Sequence, residues 1–108
     1  MTNDFSPLTI GDYAAQALTT DQRSDSGSLI FPLLGLFGAT GSLLSEVKKK
    51  QRDRASYIGF AGAVVDELGD LLWYLTAVAA RGGLALSDIA ANLATRNHAA
   101  ANRAKRSL

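Results

Sequence analysis

Glu67 and Asp70, in the run "VVDELGDLLWYL", are the residues best suited to do chemistry. On a helix, a spacing of three puts both carboxylates on one face. Val64, Leu68, Leu71, Leu72 and Leu75 lie around them. Two like charges at the border of an apolar stripe repel each other and resist desolvation unless a cation sits between them. Oxygen donors of this kind suit Mg²⁺ or Mn²⁺. The plainer alternative is a pair of solvated carboxylates on an outer helix face. Glu46 is the chain's only other glutamate. It falls on the preceding helix, so a helical hairpin can bring the 38–46 region toward 67–70.

The elements that must position these groups read as four helices, over about 9–18, 32–50, 60–81 and 88–103. Ile10, Tyr13, Ala14, Ala17 and Leu18 share one face of the first. "TTDQRSDSGS" is a turn-rich loop, and Pro32 suits the first turn of the second helix. Gly82-Gly83 is a stop signal for the third, and Ser87 with Asp88 can cap the fourth. Strand signals are nearly absent. The fold class is all-α: a single domain over 1–108, with homo-oligomerisation completing the bundle because so short a chain buries a modest fraction of its surface.

"GLFGATGSLLSEVKKK" spaces Gly35, Gly38 and Gly41 three apart inside the second helix. Each helix-interior glycine costs roughly 1 kcal/mol relative to alanine. This is no phosphate loop, since neither a strand nor GK[ST] accompanies it. A smooth stripe lets a partner helix or a ligand approach the backbone. With the stripe and the apolar run at an interface shared between copies, the chain is an oligomer at micromolar concentration and Gly38→Leu loosens that packing.

Composition removes several classes. Net charge is +1, which gives no pull toward a nucleic acid polymer. There are no cysteines, which excludes disulfides and thiolate metal sites. The N-terminal residues lack the apolar core of a secretory signal. Residues 26–45 carry no charge over nearly the length a bilayer needs, but Asp66, Glu67 and Asp70 in the next apolar run argue against membrane insertion. A cytoplasmic location with no membrane partner is the expectation. His98 stands alone near the basic tail and has no companion for a metal site.

Between about Leu34 and Ala94 the chain resembles the MazG-like all-α nucleoside triphosphate pyrophosphohydrolases, with a weaker echo in "DYAAQALTT". The signature is G-E-x-G-E on one helix with a basic exit, then E-x-x-D running into an aromatic L-W-Y-L, then an asparagine on a fourth helix. Gly38, Gly41, Lys48, Lys49, Glu67, Gly69, Asp70, Leu72, Trp73, Tyr74 and Asn92 match it. Ala39 and Ser42 stand where the family places two glutamates, and Thr95 stands where a lysine often follows the asparagine.

The resemblance implies a homodimer or homotetramer that uses Mg²⁺ or Mn²⁺ to cleave an NTP or dNTP to the monophosphate and pyrophosphate. It implies metal ligation by Glu67 and Asp70, and helical geometry offers Glu46, one turn beyond Ser42, as a replacement ligand. Lys48 and Lys49 would meet the outer phosphates, and Tyr74 and Asn92 the nucleoside. The missing glutamates imply an impaired enzyme. The alternative is a catalytically silent module of the same fold that binds nucleotides or partner helices.

Overall fold

The computed structural model describes residues 7–21 and 28–106. Helix α1 spans Ile10–Leu18, α2 Ile30–Asp53, α3 Phe60–Arg81 and α4 Leu86–Arg106, with one 3-10 turn at Arg54–Ser56. The described residues contain no strand. The all-α expectation therefore holds.

Local chemistry sets the helix ends. Thr9 caps α1 by accepting from the Asp12 amide at 3.0 Å. The α3 stop at Gly82-Gly83 is a Schellman motif. Gly83 takes φ +74°, Leu84 N–H donates to the Ala79 carbonyl and Gly83 N–H to that of Ala80. Helix α2 starts before Pro32 and runs on to Asp53, until Arg54 breaks it at φ 50°, ψ −123°. Those angles belong to the first central residue of a type II′ turn, a position that favours glycine. Helix α4 starts at Leu86, ahead of the expected cap. Leu86 is buried, and Ala85 accepts from the Asp88 and Ile89 amides, so packing moves the first turn forward.

Helices α2 and α3 form an antiparallel hairpin. On α2, Pro32 and Ala39 are buried and Leu36, Leu43, Glu46 and Lys50 half-buried, at alternating spacings of four and three. On α3 the matching row is Val64, Glu67, Leu71, Tyr74, Val78 and Arg81. This is the seam pattern of two helices packed side by side. Gly35 lies against Tyr74, and a Cβ at Gly35 would clash with the edge of the ring. At the other end, Lys50 Nζ sits 5.7 Å from the centroid of the Phe60 ring.

Arg81 locks the open end of the hairpin. Its Nη2 donates to Asp21 Oδ1 at 2.7 Å and its Nη1 to the Ser28 carbonyl at 2.8 Å, while the guanidinium lies 5.5 Å from the Phe31 centroid. Both partners of the ion pair are buried. Nearby, Trp73 Nε1–H donates to Thr20 Oγ1 at 2.9 Å. Helix α1 is thereby held against α3.

The glycine stripe divides in two. Gly35 is at a close crossing, as expected, but among the described residues nothing lies within 4 Å of a Cβ position at Gly38 or Gly41. Within one chain Gly38 opens away from α3, so Gly38→Leu leaves the hairpin itself undisturbed, and any loosening it causes belongs to an interface between copies. The molecule is also far from compact. Its radius of gyration is 17.3 Å, against about 13 Å for a compact chain of this length.

Two stability measurements follow. Gly35→Ala should lower the melting temperature through the Tyr74 clash, whereas Gly38→Ala should raise it, by about 1 kcal/mol of helix propensity. Asp21→Ala should cost about 3–5 kcal/mol, because Arg81 keeps a buried charge without its carboxylate. Chemical denaturation of the three variants checks both.

Candidate functional site

The hairpin register decides which residues share a level. With Gly35 against Tyr74 and Lys50 against Phe60, and the same rise per residue on both helices, position 39 stands level with 70 and position 42 with 67. Ala39 and Ser42 on α2, where the family signature has glutamates, are therefore level with the two carboxylates on α3. Glu67 is half-buried on the seam, and Asp70 beside it is exposed. Two carboxylates one turn apart are a set that Mg²⁺ accepts when substrate phosphates and water supply its remaining oxygens.

Ala39 and Ser42 differ in their surroundings. Ala39 is buried at 7% exposure within the seam, whereas Ser42 is exposed. A glutamate is therefore accommodated at Ser42 without touching core side chains, but not at Ala39. A carboxylate there would enter the hairpin interior.

Glu46 is occupied elsewhere. The Tyr57 hydroxyl donates to its Oε2, and Lys49 Nζ lies 3.2 Å from its Oε1. The Tyr57 hydrogen bond, then Lys49, holds the Glu46 carboxyl below the usual carboxylate range, and the same bond raises the Tyr57 phenol. Lys50 closes the cluster by donating to the Tyr57 carbonyl at 3.5 Å. Glu46 is thus a brace for the α2–α3 turn. Among the described residues, no three side chains of the acidic, His or Cys type come together as a metal cluster.

The remaining candidates are scattered. Lys48 is exposed, and Lys49 faces Glu46. The Tyr74 ring is spent on the hairpin, edge-on to Phe31 at 6.3 Å and to Trp73 at 5.3 Å. Asn92 lines a half-open pocket of about 290 Å³ at the α3–α4 turn, with Asp88, Ile89 and Arg96. Glu67 precedes Arg81, at that end of α3, by about 21 Å of helix rise. His98 is exposed on α4, with Asn102 Nδ2 3.2 Å from its Nε2.

Sequence reasoning missed Tyr57 and Arg81. Tyr57 lies eleven residues from Glu46 and meets it only through the turn, so no periodicity links them. Arg81 passes for an ordinary C-terminal helix cation. A hint lay in its position on the apolar face of α3.

Tyr57→Phe should return the Glu46 carboxyl toward its ordinary range in an NMR titration. The Tyr57 contact favours the ionised carboxylate, so its stability is present at neutral pH and is lost as pH falls through the lowered folded-state pKa. The acid limb of the parent's pH–stability curve should therefore flatten in Tyr57→Phe.

Set against protein-family models, curated proteins and solved structures, the chain matches none.

Proposed function

We propose that the chain is a MazG-like nucleoside triphosphate pyrophosphohydrolase module, cytoplasmic and homo-oligomeric, working with half of its acidic site. The observation that supports this most is the register. Positions 39 and 42, where the resemblance places glutamates, stand level with Asp70 and Glu67 across the hairpin.

In the proposed reaction, water attacks the α-phosphorus, the bond from that phosphorus to the α–β bridging oxygen breaks, and the monophosphate and pyrophosphate leave. Glu67 and Asp70 would hold a divalent cation beside the phosphates, and the exposed Asp70 carboxylate would take up the proton of the attacking water. Bound Mg²⁺ or Mn²⁺ supplies charge neutralisation on the phosphate oxygens. Lys48 supports the outer phosphates as a point charge. Lys49 and Glu46 brace one another, which leaves the acidic site with two carboxylates and slow turnover. A second reading, a silent module that binds partner helices, draws support from the exposed apolar side of α2, where Ile30, Leu34 and Phe37 face solvent.

Restoring the missing carboxylates separates the two. Ser42→Glu should be tolerated, since Ser42 is exposed. Ala39→Glu should lower the metal-free melting temperature, because a carboxylate enters the seam, and Mg²⁺ should recover it by binding the folded state. Pyrophosphate release from at least one NTP or dNTP should rise by about a hundredfold or more in the double variant, equivalent to about 2.7 kcal/mol off the barrier. A restored protein that folds, yet neither gains stability from Mg²⁺ nor cleaves any nucleotide, sinks the hydrolase reading in favour of the binding module.

A further inference from the structure

Helix α2 is apolar on two opposite sides. One side carries the seam against α3. The other carries Ile30, Leu34, Phe37, Gly41 and Leu44, again at alternating spacings of four and three. That outer face is open, with Phe37 81% and Ile30 65% exposed. No charged residue falls between Ile30 and Ser45. A helix that is apolar all round belongs in an interior or in a membrane. By length and composition, α2 is the one helix among the described residues that passes for a membrane span.

The hairpin argues against lipid. Because α3 packs on α2 antiparallel, Asp66, Glu67 and Asp70 come level with positions 39–43, the middle of that span. A carboxylate at the centre of a bilayer costs about 2.5–3.5 kcal/mol even on the most lenient scale. Protein is the better cover. The chain exposes 8166 Å², about 2,400 Å² more than a folded monomer of its mass presents. A standard interface removes only about 800 Å² from each partner, so the excess has ample room for one. Part of it belongs to α4, whose outer half is bare.

We infer that a second copy of this chain covers the outer face of α2, the two α2 helices running antiparallel about a two-fold axis. The residue pattern fits itself in that arrangement. With the axis level with residue 39, Phe37 meets the partner's Gly41, and Leu34 meets the partner's Leu44. Gly41 has nothing within 4 Å of a Cβ position in the single chain, so the Phe37 ring of the other copy gains a seat there. This gives Gly41 a reason that the lone hairpin lacks. The contact is isologous and closes on itself, which makes a dimer and no fibre. It takes from the proposed function only the homo-oligomeric state.

Sedimentation of the full 108-residue chain at micromolar concentration should show a dimer without detergent. Phe37→Asp and Gly41→Leu should each weaken it by at least about thirtyfold, the scale of a central aromatic hot spot, with helicity unchanged by circular dichroism. Gly41→Leu is the sharper test, because it adds apolar surface and helix propensity and should still dissociate the dimer. In a chain with no native cysteine, Leu34→Cys combined with Leu44→Cys should oxidise to covalent dimers. A monomeric parent, or a dimer indifferent to both variants, overturns the inference. So does a chain that stays in solution only with detergent or inserts into phosphatidylcholine vesicles, which would assign the face to lipid. Pyrophosphate release from the carboxylate-restored variant is read separately, so either proposal can fail alone.

Discussion

The Tyr74 ring laid on the bare backbone of Gly35 sets the geometry of everything else in this protein. Two antiparallel helices with a common rise can still slide along one another, and this contact fixes the slide. From it follow the level at which Glu67 and Asp70 stand, the pairing of Lys50 with Phe60, and the approach of Tyr57 to Glu46 around the turn. Arg81 performs the matching task at the open end, gathering Asp21, Ser28 and Phe31 around one guanidinium. A side chain with no room to move and a cation with several simultaneous partners are both intolerant of slippage. The hairpin therefore has one register.

Much of this was legible in the chain itself. Helical periodicity, the Gly82-Gly83 stop and the absence of strand signals are local properties, and local properties survive folding. The ends that moved did so for non-local reasons. Burial of Leu86 pulled the α4 start ahead of Ser87 and Asp88. The α2 stop came from the backbone of Arg54, a residue type with no turn preference to read. The glycines show the same limit. Spacing marks Gly35, Gly38 and Gly41 as equals, yet only one meets a ring within the chain.

The site was legible in its types and opaque in its allegiances. Both glutamates lie on the hairpin seam, as their helices implied, but Glu46 answers to Tyr57 and Lys49. A carboxylate one turn from a ligand position can serve the ligand or the scaffold, and that choice depends on a partner eleven residues away. Ala39 is the reverse case. Beside the family signature its smallness reads as an absent carboxylate, and its burial shows that it fills the seam.

Helix α4 carries a consequence of a different kind. Leu86 anchors its first turn, but every side chain from 91 to 101 is exposed. An isolated helix of that length is marginal in water, since its stability normally comes from an apolar face it buries. The two halves of the molecule thus differ in local stability, and amide exchange would resolve them. Protons on α3 leave only when the hairpin opens as a whole, while those beyond Ala90 leave by fraying, without disturbing it. Exposure alone thus predicts graded unfolding, with α4 melting off before the hairpin opens.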